Sequence, residues 1–523
     1  MLEHYNLCIP FVWRIKMSMA TLHTSTVIGF TAHDVTVEIH ITKGLPQFQI
    51  VGLASGSHLH VKERVRSAII HSGYTFPAKR VTVNLSPADL PKFGARFDLP
   101  IALGILIAAG EIIAEQLHDY VFLGELALSG ELRAVSGILP GIKQAINTGK
   151  KVIFSFHQAN EVAPFYPELC FPAKTLKEVV GHLNASTSSK ANARLNSVAP
   201  VQPKHHTRQF IDSQWDLILG QYGAKRALLI AATGGHNILL YGPPGAGKTM
   251  LACELVNLLP DLPKNAFFET LTLHSLANRP MPNSNRPPLQ RPHHSVTKIG
   301  LLGGGNRAQP GSISLAHNGV LLLDELTEFA KPLLDQLREP LQEGEIRLHR
   351  AHYALSLPCD FQLIATLNPS PTGSVENNRS SVDATIRYLN RLSDPLLERI
   401  DMQCEVPKTR PNLSPNKANE PSIKELAQLV KTQQLKQIQR QGCLNSQLTP
   451  AQIKCLQLCA DTQSLLEQAH QQYQLSARMI SRLILLARSI ADLDHAVEIK
   501  PKHIAEALQY RSFDRLCQQL ITQ

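Results

Sequence analysis

Residues 242–249 read Gly-Pro-Pro-Gly-Ala-Gly-Lys-Thr, and no other stretch of this chain restricts its fold so strongly. The pattern works only at a strand-to-helix junction. Its glycines let backbone N–H groups curl around phosphates, and the helix that follows turns its positive end toward the negative charge. The flanks meet that requirement, because Asn237–Tyr241 (NILLY) suits a buried strand and Met250–Leu259 continues as an apolar helix. Gly242, Pro243, Pro244, Gly245, Ala246 and Gly247 then form the phosphate-binding loop. Lys248 is placed to reach the β- and γ-phosphates of ATP, and the Thr249 hydroxyl to ligate Mg²⁺. A plain glycine-rich turn is the competing reading of the loop taken alone.

Further motifs follow in chain order. Val320–Glu325 (VLLLDE) is an apolar strand ending in two carboxylates. Asp324 is suited to hold Mg²⁺ through its water shell, and Glu325 to polarise the attacking water. A buried strand that merely ends at charged residues is an equal reading of this motif alone, but its position after a phosphate loop favours the metal. Phe361–Leu367 is another apolar strand, ended by Asn368 before Pro-Ser-Pro. A polar side chain there can bond the γ-phosphate or the lytic water, although Asn before Pro also starts turns. Arg399 (in LLERID) suits an arginine supplied by a neighbouring subunit to stabilise charge on the transferred phosphoryl group. Arg478 (in LSARMISR) suits a phosphate contact from a helical lid. For both, a surface ion pair is the alternative, and the order of the motifs argues against it.

The chain has 523 residues, too many for one core and suggestive of about three domains. With 43% apolar and 18% charged residues it has the balance of a soluble globular protein, and no apolar run is long enough to span a membrane. The first residues, MLEHYNLCIPFVWRIK, carry Glu3 where a leader needs positive charge, and Pro10 and Arg14 break the apolar stretch. They read as a tail, and the expected location is cytoplasmic. Nine cysteines are scattered. Cys455 and Cys459 are spaced to share one helix face, and with no second pair or histidine partner they read as buried helix cysteines rather than zinc ligands. A net charge of +10 suits a polyanion partner such as nucleic acid. The stretches 183–208 and 407–422, rich in polar residues and proline, read as linkers, while 423–523 is helical in pattern.

Together with RVRSAII (64–70), NLSPADLPK (84–92), AATGGHN (231–237), RPHHS (291–295), NPSPTG (368–373) and RYLNRLSDPLLERID (387–401), these motifs closely resemble the magnesium-chelatase-like AAA+ proteins of bacteria, and among them the ComM/YifB family. The resemblance covers about residues 20–520. It implies an α/β fold: a parallel-sheet AAA+ core at 209–406, a C-terminal helical lid at 423–523, and at 19–182 an α+β domain similar to the protease domain of Lon (S5-type). It also implies the roles given above, a hexameric ring, since Arg399 must come from a neighbour, and an adenine-side role for Gln221 in LILGQ. The Lon-like stretch departs from its pattern. Arg96 falls where the nucleophilic serine belongs and Leu139 where its lysine belongs, with Lys143 nearby. A domain without hydroxyl and base is a scaffold rather than a peptidase.

Two insertions are candidates for the ring's centre. GLLGGGNRAQPG (300–311) is flanked by Lys298 and contains Arg307. EIRLHRAHYALSL (345–357) alternates Ile346 and Leu348 with Arg347 and His349 and turns near Arg350, a hairpin with a basic tip. Cations there suit a phosphate backbone, and an exposed hairpin with solvated charge is the equal alternative. His293 and His294 have no ligand cluster around them and read as structural. The resemblance implies a DNA translocase that drives branch migration of recombination intermediates during natural transformation, working on single- or double-stranded DNA and in company with recombination proteins. A chelatase motor inserting Mg²⁺ into a porphyrin is the second reading, and an ATP-dependent protease the third.

Overall fold

A computed structural model describes residues 18–53, 58–112, 117–185, 194–199, 213–280, 282, 284–305, 309–349, 354–370, 382–408, 421–456 and 458–513. The expected tail, most of both linkers, Arg307 and Arg350 lie outside the described residues, as does the His349 side chain. The chain divides into two compact units, Met1–Lys204 with His274–Met281, and His205–Leu273 with Pro282–Gln523.

The second unit is built on a five-stranded sheet in the order Leu289–Gln290, Gly319–Leu323, Phe361–Leu367, Ile238–Tyr241, Met402–Glu405. Every pairing in it is parallel. Parallel strands covered on both faces must be apolar throughout, and Ile238–Tyr241, Gly319–Leu323 and Phe361–Leu367 are buried at every position. Alternate side chains feed two cores. Ile238, Leu240, Val320, Leu322 and Ile364 pack with helices Tyr222–Gly234 and Lys248–Leu258, whereas Leu239, Tyr241, Leu321, Leu323, Leu363 and Ala365 face the opposite layer. Parallel pairing sets Tyr241 beside Leu367 and Leu323 beside Ala365. The loops that leave these strands therefore open at one edge of the sheet, where α/β folds bind ligands.

The C-terminal region is helical: Ile423–Gln441, Ala460–Tyr473, Ala477–Leu493 and Pro501–Gln509 are its longer helices. Its Leu426, Val430, Leu483, Leu486 and Ile504 share one core with Leu228 and Leu251. Gln434 and Gln437 donate to the carbonyls of Ala232 and Thr233, completing the last turn of Tyr222–Gly234 with acceptors that have no partner in their own helix. One expectation fails here. Cys455 ends the short helix Pro450–Lys454 and Cys459 caps the start of Ala460–Tyr473, and both are exposed. Helical spacing does not survive a break between the two residues, so they neither share a face nor sit in a core.

The first unit carries a seven-stranded mixed sheet, in the order Gln47–Val51, Arg80–Ser86, Thr31–Thr42, Met19–Ile28, Tyr120–Leu123, Lys151–Ser155, Cys170–Ala173. Helix Asp98–Ala109 is buried along nearly its whole length against it. Gly104 permits that approach, since a Cβ there would sit 2.1 Å from Ile39 Cδ1. The buried Asp98 is held by Arg64 through bonds of 2.7 and 3.2 Å. Arg96 is also buried, and its guanidinium donates to the carbonyls of Ser25, Ser136 and Gly137. Burial pulls its pKa down to about 10, so it stays cationic at neutral pH. No described helix is long and apolar enough to cross a membrane.

Gly319 opens the strand that delivers Asp324, and a Cβ on it would lie 2.1 Å from the Pro288 carbonyl. Backbone cannot step aside as a side chain can. Gly319→Ala is expected to destabilise the second unit by about 1–3 kcal/mol, read as a lower urea midpoint in the fluorescence of the buried Trp215.

Candidate functional site

Loop 242–249 takes its shape from residues that need unusual backbone. Gly245 and Gly247 hold φ of 76° and 87°, the left-handed region where a Cβ is disfavoured. Gly242 lies so close to the exit of strand Met402–Glu405 that a Cβ would come within 2.2 Å of the Val406 carbonyl. Gly247 is the N-cap of helix Lys248–Leu258 and gives it no side-chain cap, leaving that turn's N–H groups facing the loop.

Lys248 is buried at the loop's centre. Its Nζ donates to the carbonyls of Gly242 and Pro243 at 2.8 and 2.9 Å and to Asn368 Oδ1 at 2.9 Å. Burial lowers its pKa, and the charges of Asp324 and Glu325 partly oppose that. The Thr249 hydroxyl donates to Asp324 Oδ1 at 2.9 Å. Thus Lys248, Thr249, Asp324 and Asn368, scattered over more than a hundred residues of sequence, meet as two neighbouring hydrogen-bonded pairs. A cavity of about 260 Å³ opens between the loop residues Gly245 to Thr249 and, across from them, Asp324, Glu325, Thr366 and Asn368.

Two members of this site escaped the sequence reading. Thr366 donates to Asp324 Oδ1 at 2.6 Å and accepts the Glu325 N–H at 3.0 Å. The signal was a hydroxyl in an otherwise apolar strand, two residues before Asn368. Arg291, the first residue of RPHHS, donates to Asp324 Oδ2. Burial alone would raise the Asp324 pKa, but bonds from Thr366, Thr249 and Arg291, with the Arg291 charge, outweigh it and hold the carboxyl below its usual range. Glu325 follows in left-handed backbone, φ 57°, a strained position for a side-chain-bearing residue. Thr249 and Asp324 together form a small, hard, oxygen-only donor pair, the kind on which Mg²⁺ is held with substrate phosphates and water. Among the described residues there is no cluster of three or more His, Cys, Asp or Glu that would make a separate metal cage.

Gln221 is buried beside the loop and donates to the carbonyls of Ala246 and Pro407 at 3.3 and 2.8 Å. Arg399 and Arg478 do not line the cavity. The two arginines lie near each other, and Arg399's pKa is lowered by burial and by the charges of Arg478, Arg338 and Arg482. The second insertion forms a hairpin as expected, Glu345–His349 pairing antiparallel with Ala354–Pro358. Ile346 is buried and Arg347 exposed. Arg347 is not free, because Glu345 on the same strand accepts its Nε–H at 2.6 Å. The first insertion is a short helix, Lys298–Leu302, and a tight pairing of Gly303–Gly304 with Gln309–Pro310, with Lys298 exposed. His293 bonds Ser295 Oγ at 2.8 Å.

Three family models match the chain: "Magnesium chelatase, subunit ChlI" at residues 214–413, "Subunit ChlI of Mg-chelatase" at 37–158, and "Magnesium chelatase, subunit ChlI C-terminal" at 420–511. Uncharacterized protein YifB of Escherichia coli is 41% identical over 96% of this chain and 98% of its own length. Competence protein ComM of Haemophilus influenzae is 41% identical over 96% of this chain and 99% of its own. Lon protease 2 of Bacillus subtilis is 26% identical over 33% of this chain and 35% of its own.

Lys248→Ala is expected to abolish nucleotide binding. Glu325→Gln is expected to keep binding and lose hydrolysis by about 10²-fold or more. Fluorescent-nucleotide titration and phosphate release separate the two.

Proposed function

This chain belongs to the ComM/YifB family of magnesium-chelatase-like AAA+ proteins, and on that premise we propose that it is a cytoplasmic, ATP-hydrolysing ring motor that moves DNA, promoting branch migration of recombination intermediates during natural transformation. The observation that carries hydrolysis is that the bonded pairs Lys248–Asn368 and Thr249–Asp324 line one cavity. In this reading the loop and Lys248 bind ATP, Thr249 and Asp324 hold Mg²⁺, which supplies charge neutralisation on the phosphates, and Glu325 orients the water. Asn368 senses the γ-phosphate and Gln221 braces the loop beside the adenine. DNA enters through the name of one relative, competence protein ComM, and through the net charge of +10. Lys298, Arg307, Arg347, His349 and Arg350 are the proposed phosphate contacts.

Arg399 lies outside the cavity of its own chain, as a finger offered to a neighbour requires. Arg478, beside it, is proposed as the lid's phosphate contact. The first unit is read as a scaffold. A buried cation, Arg96, fastens three carbonyls at the place where a Lon-type serine would stand, and no nucleophile can act from there. The chelatase reading is favoured by the descriptions of all three matching families. ATP-dependent Mg²⁺ insertion into a porphyrin, without any response of the ATPase to DNA, would replace the DNA reading with it.

Arg399→Ala subunits alone and Glu325→Gln subunits alone are each expected to hydrolyse ATP about 10²-fold more slowly or worse. Mixed, they should regain measurable activity, because some sites then combine an intact Glu325 with an intact neighbouring Arg399. No recovery on mixing would rule out a finger acting between subunits.

Glu345→Gln leaves Arg347 without its carboxylate partner. DNA binding, followed by fluorescence anisotropy across a salt series, should tighten and its salt slope steepen by about one ion. An unchanged slope would remove Arg347 from the DNA contacts.

A further inference from the structure

The guanidinium of Arg399 is held by its own chain at three points. Nε donates to the Arg338 carbonyl at 3.1 Å, Nη1 to the Pro395 carbonyl at 2.7 Å, and Nη2 to Gln342 Oε1 at 2.7 Å. An arginine carries five N–H groups, so these bonds fix the plane of the fork and leave two donors for an outside acceptor. Of the three acceptors only Gln342 is a side chain.

Arg338 and Gln342 lie on the same short helix, Arg338–Glu343. That helix runs directly into the hairpin. Gly344 ends it in left-handed backbone, φ 67°, with its N–H on the Pro340 carbonyl at 3.0 Å, while its own carbonyl accepts from Cys359 at the far foot of the hairpin at 2.8 Å. Strand Glu345–His349 begins at the next residue. The same pieces share one apolar cluster, in which Leu337, Ile346 and Cys359 pack with Leu396 and Ile400, the residues that flank Arg399. Hydrogen bonds and packing thus join the finger segment, the helix and the foot of the hairpin into one body.

We infer that Gln342 is a positioning residue for Arg399, and that through the helix Arg338–Glu343 it couples the finger to the hairpin, so that the neighbour's nucleotide state and the hairpin's hold on DNA act on each other. The inference rests on the DNA-driven ring proposed above. When Arg399 engages the phosphates of a second copy of this chain, the pull on its guanidinium falls on Gln342 and on the Arg338 carbonyl, and the hairpin follows as the extension of that helix. In the other direction, a phosphate backbone on the hairpin reorients the helix and with it the fork.

The test is steady-state ATP hydrolysis by the full chain, without DNA and with saturating DNA, in the wild type, Gln342→Leu and Gln342→Glu. Gln342 is exposed, so neither change disturbs a core. Leucine removes the acceptor and is expected to lower kcat about tenfold, leave KM for ATP unchanged, and flatten the response to DNA. Glutamate keeps the acceptor oxygen and should restore both kcat and the DNA response to within about twofold of wild type. A leucine variant like the wild type, a glutamate variant as impaired as leucine, a change confined to KM, or a lowered kcat with the wild-type DNA ratio would each overturn the inference. If the wild type itself shows no response to DNA while leucine lowers kcat and glutamate rescues it, the DNA reading falls and the positioning of Arg399 by Gln342 stands.

Discussion

The parallel pairing of Ile238–Tyr241 with Phe361–Leu367, and of that strand with Gly319–Leu323, is the constraint on which the rest depends. Parallel strands buried on both faces all leave the sheet at one edge. A one-residue slip would exchange the two cores, putting Leu239 where Leu240 packs, and would carry Asn368 out of reach of Lys248. The two apolar clusters above and below the sheet therefore hold a register. That register brings a lysine, a threonine, an aspartate and an asparagine within hydrogen-bond distance. Stability and chemistry are set by the same pairing.

A second junction lies at the opposite end of these strands. Asp401, buried two residues beyond Arg399, accepts the Asn237 N–H at 2.9 Å, and Arg482 of helix Ala477–Leu493 lies 3.0 Å from it. Asn237 also donates through its side chain to the Arg399 carbonyl at 3.1 Å. Burial would raise the Asp401 pKa, but Arg482 and His236 more than compensate and keep it ionised. His236 in turn bonds Ser489 Oγ at 2.7 Å. The sequence Ser489, His236, Asp401 has the residue types of a nucleophilic triad, yet all three are buried, so no substrate reaches the hydroxyl. Its role is mechanical: the strand entering loop 242–249, the segment carrying Arg399 and the C-terminal helices are pinned at one charged point.

Much of this was legible in the sequence, for a physical reason. Glycines at 242, 245 and 247, and apolar runs ending in Asp324 and Asn368, are local signatures whose meaning depends on a few neighbouring residues. Helix and strand boundaries around them came within a residue or two: Asn237–Tyr241 was expected and Ile238–Tyr241 is found, while Phe361–Leu367 agrees at both ends. The hairpin was readable from its alternation, since Ile346 goes inward and Arg347 outward. What escaped depends on tertiary register. Thr366 matters because its strand lies beside Asp324, and Arg291 because a distant loop returns there, and neither fact has a local spacing. The cysteines at 455 and 459 failed for the reverse reason, because a spacing was read through a helix break that leaves Cys459 as an N-cap.

Charge at the hairpin sharpens what the basic composition means. The surplus of +10 belongs to the whole chain and is not concentrated at Arg347. That residue's bond to Glu345 on the same strand, with the charges of Glu345, Glu343 and Glu339, raises its pKa. Glu345 thus holds the guanidinium, and in the DNA reading proposed above a phosphate backbone would compete with that carboxylate for the arginine rather than find it waiting. Such competition keeps non-specific contact weak, and salt screens both partners of the exchange. The motor proposed above, which must release its track after every stroke, would gain from that arrangement. An unpaired cation grips, whereas an arginine traded between a carboxylate and a phosphate can let go.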